Sequence, residues 1–158
     1  MKQGLVHLYC GEGKGKTTAA MGLALRALGH GEAVVIVQFL KGSETGELAG
    51  LRKLGAVILR GKAGQKFAFQ MNEAEKAETR ALQTENLQKA LALPCDLLIL
   101  DEACAACRLG LVDETVLKKA VLQKNAKSRV PRREAAKPPK KALQTLKKLS
   151  YRTIQNVL

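Results

Sequence analysis

The chain has 158 residues, 46% apolar and 26% charged, which is enough for one domain with one sizeable core and too apolar for a disordered chain. No apolar run is long enough to span a membrane, and the N-terminus lacks a signal-peptide pattern, so the default expectation is a cytoplasmic protein with no membrane partner. The formal net charge is +13, but residues 121–158 supply most of it, with eleven Lys or Arg against a single acid, Glu134.

In chain order, residues 5–10 (LVHLYC) form an apolar run that predicts a buried strand. A Gly-rich stretch follows, then a helix over 17–28 ended by Gly29. Residues 33–40 (AVVIVQFL) are β-branched and lie between Gly31 and Gly42, which predicts a second strand. A short helix over 48–54 and a short strand over 56–59 come next. Residues 72–91 carry apolar positions at helical spacing, with Asn72 and Glu75 placed as a capping box and Pro94 at the exit. Residues 96–100 (DLLIL) are apolar without alternation, as in a central parallel strand covered on both faces. A further helix is predicted over 113–122, and no internal repeat is present.

Strands alternating with helices predict an α/β fold, a mostly parallel sheet flanked by helices in a single domain. In such sheets ligands bind beyond the carboxyl ends of the strands. Both clusters of chemical interest, after Cys10 and after Leu100, fall at such ends.

The first cluster is Gly11-Glu12-Gly13-Lys14-Gly15-Lys16-Thr17-Thr18. Alternate glycines let successive N–H groups face inward, and together with the helix N-terminus they form an anion cradle. Lys16 supplies a point charge near terminal phosphates, and Thr17 has the hydroxyl for Mg²⁺. Cys10 stands where the general P-loop pattern has its first Gly, so this loop is a variant. In the second cluster, residues 97–102 (LLILDE) place Asp101 and Glu102 at the strand end, where a phosphate-bound Mg²⁺ takes oxygen ligands. The bland reading of Asp101 is a helix N-cap.

The remaining candidates are weaker. Cys104 and Cys107 are spaced C-x-x-C, but no second pair or His pair completes a zinc site, so they read as small residues on one helix face. His7 reads as structural and His30 as an exposed turn residue. The basic tail could meet nucleic acid, but its single aromatic, Tyr151, offers little for base stacking, which argues against that partner.

The wider pattern resembles the ATP:corrinoid adenosyltransferases, a P-loop NTPase-like (RecA-like) family. The resemblance is carried by residues 9–28 (YCGEGKGKTTAAMGLALRAL), 37–47 (VQFLKGSETGE), 96–102 (DLLILDE) and 110–113 (GLVD), in order along the chain. It implies transfer of the 5′-deoxyadenosyl group of ATP to the reduced cobalt of a corrinoid, in cobalamin biosynthesis or salvage. The cobalt attacks C5′ of the ribose and triphosphate leaves. The protein's work is then positioning and charge stabilisation, which fits the lack of an evident nucleophilic triad.

Carried over by position, Gly11, Gly13, Lys14, Gly15, Lys16, Thr17 and Thr18 hold the triphosphate. Lys16 and Glu102 are the catalytic pair, and Thr17, Asp101 and Glu102 serve Mg²⁺. Phe67 and Phe69 fall where such enzymes set aromatics against the lower face of the corrinoid. Core packing by two same-face strand residues is the competing reading of these phenylalanines. The resemblance further implies an electron donor for the cobalt and is compatible with a homodimer. Other readings are a different P-loop ATPase, a nucleoside kinase, or a nucleotide-binding remnant of the family.

The resemblance fades near residue 128. Arg132 stands where the family has Gly, and residues 139–158 match nothing expected of it. A shifted reading frame or a truncated gene would give this composition. The division expected is therefore a nucleotide-binding α/β unit over 1–123 and a basic, poorly packed tail over 124–158. Within the tail, residues 140–149 have the spacing of a short amphipathic helix.

Overall fold

A computed structural model describes residues 6–62, 66–125 and 155–157. Its elements run β1 (His7–Tyr9), α1 (Lys16–Gly29), β2 (Val34–Gln38), α2 (Gly46–Lys53), β3 (Val57–Arg60), a 3-10 turn (Ala68–Gln70), α3 (Glu73–Ala92), β4 (Leu97–Asp101), α4 (Ala103–Arg108), α5 (Glu114–Asn125) and β5 (Gln155–Val157). The sheet order is β1-β5-β4-β2-β3. β2 is parallel to both β3 and β4, while β5 runs antiparallel between β1 and β4.

β2 and β4 are buried along their whole length, as their unalternated apolar sequences require. Their side chains split between the two faces with the strand period of two. Val35, Val37, Phe39, Leu98 and Leu100 join Leu87 and Ala90 of α3, Ala103 and Ala106 of α4, and Leu117 and Ala120 of α5 in one core cluster. Val34, Ile36, Leu97 and Ile99 join Ala20, Met21, Ala24 and Ala27 of α1 and Leu51 of α2 on the other face. Small residues along α1 let that helix lie close on the sheet. Each fully buried Leu or Ile contributes on the order of 1.5–3 kcal/mol, so these two layers fix where the ends of β2 and β4 lie.

The helix starts follow local chemistry. The predicted capping box forms: Glu75 N donates to Asn72 Oδ1 at 2.8 Å, and Asn72 N donates to Glu75 Oε2 at 2.9 Å. Glu75 also accepts from Lys66, and that bond, with the backbone bond, lowers its pKa. Asp113, just before α5, accepts from the N–H groups of Thr115 and Val116 at 2.7 and 3.1 Å, which holds its carboxyl below the ordinary range.

Two expectations change. The run over 5–10 is not a buried strand: β1 is three residues long, with His7 exposed and Leu8 and Tyr9 half-buried. It lies at the sheet edge, where apolar character serves one face only. Phe67 and Phe69 are not strand residues packed in the core. Phe67 caps a 3-10 turn and Phe69 lies within it, and they are 70% and 83% exposed.

The tail contributes β5, and the predicted helix over 140–149 lies outside the described residues. Cys104 and Cys107 do share helix α4, the first buried and the second half-buried; burial, more than the nearby Cys104, raises the Cys107 pKa to about 11. No helix among the described residues is long and apolar enough to cross a membrane.

Candidate functional site

The loop after β1 and the ends of β2 and β4 meet at one place. Gly11, Gly13 and Gly15 have φ of 132°, 99° and 102°, a conformation that side-chain-bearing residues rarely adopt. Gly15 is also the residue from which α1 starts, and its carbonyl accepts from Ala19 N at 2.8 Å. The loop therefore wraps around the positive end of a 14-residue helix. Lys16 Nζ donates to the carbonyls of Gly11 at 2.9 Å and Gly13 at 2.7 Å, so it crosses the mouth of the loop. Lys14 and Thr18 are exposed beside it.

Thr17, one residue further into the helix, points at β4. Its Oγ1 lies 3.2 and 3.3 Å from the two carboxylate oxygens of Asp101. Asp101 is fully buried. A buried carboxylate is costly unless paired and hydrogen-bonded, and two further side chains meet that need. Gln38 sits opposite Asp101 in the β2–β4 pairing, and its Nε2 donates to Asp101 Oδ2 at 2.9 Å. Lys41, three residues further along the chain, donates to the same oxygen at 3.0 Å and to Thr17 Oγ1 at 2.8 Å.

Glu102 completes the cluster, with Oε1 3.7 Å from Lys41 Nζ. Its φ of 61° makes it the one non-glycine with positive φ among the described residues. Such strain is of order 1–3 kcal/mol and gathers at functional sites. Here the left-handed residue sits at the junction of β4 and α4 and leaves its carboxylate beside Lys41. Burial raises the Glu102 pKa, the Lys41 ammonium opposes that rise, and the neighbouring Asp101 adds to it.

Thr17, Asp101 and Glu102 thus present hard oxygen atoms around a position held by an ammonium group. That donor chemistry fits Mg²⁺. No group of three or more His, Cys, Asp or Glu suited to a metal exists among the described residues. With only two carboxylates and a hydroxyl, an ion here needs phosphate or water oxygens to fill its coordination.

Beside this cluster opens a cavity of about 410 Å³, lined mainly by apolar groups. Leu40, Phe67, Phe69, Met71 and Leu111 supply its surface, and Lys41 stands on its wall. The two phenyl rings stack with centroids 5.6 Å apart and planes 8° from parallel. The 42–45 segment of the wall is tied down from outside: Arg60 Nη2 donates to Ser43 O at 2.6 Å, and Arg52 Nη1 donates to Glu44 Oε2 at 2.9 Å. The bond from Arg52 is the main cause of the lowered Glu44 pKa. On the other side Arg80 Nε donates to Gly110 O at 2.5 Å, holding the turn between Leu109 and Leu111.

The site residues expected from sequence fall in two groups. Gly11, Gly13, Lys14, Gly15, Lys16, Thr17 and Thr18 form the loop and helix start, which Thr17 joins to Asp101, with Glu102 reached through Lys41; Phe67 and Phe69 line the cavity. Sequence reasoning gave no role to Gln38 or Lys41. A signal for Gln38 was available, since one amide in an otherwise apolar buried strand needs a partner. Lys41 had only its place just past a strand's carboxyl end.

A sheet whose β2, β3 and β4 run parallel between helices, with a Gly-rich loop after its first strand and a carboxylate pair at the end of its fourth, defines an α/β protein of the P-loop NTPase-like class. Comparison with known proteins narrows this. Residues 2–130 match the family model for the ATP:corrinoid adenosyltransferases BtuR/CobO/CobP, and the chain belongs to that family. It is 39% identical over 103 residues to the corrinoid adenosyltransferase CobA of Salmonella typhimurium, covering 64% of this chain and 52% of that protein. It is 35% identical over 102 residues to the corrinoid adenosyltransferase of Escherichia coli K12, again 64% and 52%. For the Pseudomonas aeruginosa corrinoid adenosyltransferase the identity is 31% over 115 residues, 71% of this chain and 57% of that one. The chain spans about half the length of the curated relatives it matches.

Proposed function

We propose that this chain binds ATP with Mg²⁺ in the loop over 11–18 and transfers its 5′-deoxyadenosyl group to the reduced cobalt of a corrinoid seated in the adjoining cavity. The observation that carries this reading is the shared wall. Lys41 touches Thr17 and Asp101 on one side and lines the apolar cavity on the other. A nucleotide and a large, partly apolar second substrate can therefore approach each other directly. Membership of the adenosyltransferase family and the names of the relatives support the same pairing of substrates.

In this reading the cobalt attacks C5′, the C5′–O bond breaks, and the electron pair leaves with triphosphate. No protein nucleophile is needed. The loop amides and Lys16 hold the triphosphate and stabilise its charge as it leaves. Thr17 and Glu102, with Asp101 beside them, hold Mg²⁺, which neutralises phosphate charge when bound. Phe67 and Phe69 offer apolar faces to the corrinoid and keep water from the lower side of the cobalt.

The reaction further calls for an external electron donor, and we infer a cytoplasmic setting; the reading is compatible with a homodimer. Residues 1–123 carry the nucleotide-binding loop and carboxylates in this reading, and the basic 124–158 segment adds β5 to their sheet between β1 and β4.

The test is an anaerobic assay with ATP, Mg²⁺ and a chemically reduced corrinoid, following both the adenosylated product and triphosphate. One triphosphate per adenosylated corrinoid is expected, with neither formed when the corrinoid is omitted. Phe67→Ala with Phe69→Ala should weaken corrinoid binding and leave ATP affinity unchanged. ATP hydrolysis to ADP and phosphate without corrinoid would point to an ordinary ATPase instead.

A further inference from the structure

Lys41 is the third member of a contact that the metal reading does not use. Its Nζ lies 2.8 Å from Thr17 Oγ1, 3.0 Å from Asp101 Oδ2 and 3.7 Å from Glu102 Oε1. These are the same side chains that would hold a divalent cation. Asp101 is fully buried, and Lys41, Gln38 and the Thr17 hydroxyl all lie within hydrogen-bonding distance of its Oδ2, Lys41 alone among these three bringing a charge. A single ammonium therefore occupies the centre of the oxygen set and supplies charge to a carboxylate shut away from water.

We propose that Lys41 is an exchangeable internal cation: it holds the metal position until nucleotide arrives, and the divalent ion must displace it. This rests on reading Thr17, Asp101 and Glu102 as the metal set. An ammonium and a divalent ion cannot share these oxygens, because both carry positive charge and both need the same lone pairs. Free metal finds the position taken and has too few protein ligands to win it. A metal already bound to triphosphate brings extra oxygen ligands and compensating negative charge. The ion consequently enters with ATP and not ahead of it.

Displacement has somewhere to go. Lys41 is about a quarter exposed and stands on the cavity wall, so its flexible stem can swing away without crossing the core. The Arg60 and Arg52 contacts to Ser43 and Glu44 hold the following backbone in place while it does so.

The test is Mn²⁺ titration followed by electron paramagnetic resonance, with and without a non-hydrolysable ATP analogue. The unaltered chain should bind Mn²⁺ weakly alone and tightly with the analogue. Lys41→Met should bind Mn²⁺ alone on the order of tenfold tighter or more, as expected when a competing charge is removed at a buried carboxylate. Lys41→Arg keeps the charge and should stay weak, while adding Asp101→Asn to Lys41→Met should erase the gain. Should Lys41→Met fail to fold, Lys41→Gln removes the charge and keeps a donor for Asp101. Equal nucleotide-free affinity in the unaltered chain and the folded neutral variant overturns the proposal, even when the analogue still recruits Mn²⁺. Loss of Mn²⁺ binding in every form, analogue present, overturns the metal set itself and the proposal with it.

Discussion

Gln38 and Asp101 face each other across the β2–β4 ladder, joined by a 2.9 Å bond from the Gln38 amide to a carboxylate that has no exposed surface. The other end of that amide, Gln38 Oε1, is buried without a partner. Gln38 therefore orients Asp101 more than it stabilises the fold. Gln38→Leu removes one bond to a charged group, worth about 1.5–3 kcal/mol, and also removes the orphaned acceptor, which offsets it. We expect thermal stability to change little. Metal affinity in the nucleotide complex should fall by roughly ten- to a hundredfold, the usual effect of losing a ligand's outer support. Calorimetric Mg²⁺ titration of the nucleotide complex checks this, and an unchanged affinity would deny Gln38 a positioning role.

Lys16 makes its bonds to two loop carbonyls and not to any core group. Lys16→Ala should therefore leave the melting temperature nearly unchanged. ATP affinity should drop by about 1.5–3 kcal/mol or more, because a charge-assisted bond to phosphate is lost. Equilibrium binding of a fluorescent ATP analogue measures the loss. Retained affinity would show that the loop does not hold the triphosphate.

Glu102 separates two roles by substitution. Glu102→Gln keeps the shape and removes the charge, so Mg²⁺-dependent turnover should fall more than nucleotide affinity. Glu102→Gly should lose the same function while gaining stability of up to about 1 kcal/mol, since glycine relieves the left-handed backbone. Thermal denaturation beside steady-state turnover distinguishes them. A Glu102→Gly variant less stable than Glu102→Gln would mean that the backbone strain is absent.

Asp113 supplies a pH test away from the site. Its pKa is lowered chiefly by the N–H groups of Val116 and Thr115. A carboxylate with a lowered folded-state pKa adds stability that is present above its unfolded value. That stability is lost as pH falls through the folded-state value. The stability gap between the unaltered chain and Asp113→Ala should thus be full near neutral pH and close below the ordinary aspartate range. Denaturant melts across pH 2–7 measure it; a gap that persists undiminished at the acid end would rule out the charge contribution.

Much of this molecule could be read from residues alone because local chemistry agreed with the fold. The alternate glycines of the loop over 11–18 and the Asn72–Glu75 box each need only their neighbours, and both form as expected. The β-branched run of β2 announced a strand, and the apolar run of β4 a strand buried on both faces. What escaped depends on distant partners. Gln38 and Lys41 have meaning only beside Asp101, 63 and 60 residues along the chain. The Phe67–Phe69 pair lines the cavity, but the backbone there is a 3-10 turn, and spacing of two suits an exposed turn as well as a strand face.

The strand that seats β1 comes from the opposite end of the sequence. His7, Leu8 and Tyr9 pair with Val157, Asn156 and Gln155, and among the described residues no other strand pairs with β1. That pairing joins the most distant stretches of sequence of any described strand pair, since the β2–β3, β2–β4 and β4–β5 partners are all much nearer one another along the chain. Bringing such distant stretches together is a slow and entropically unfavourable step. Helices α1 and α3 and the β2–β3 pair can form from nearer contacts, so the layered core is expected to form before the strand that leads into the Gly-rich loop is seated.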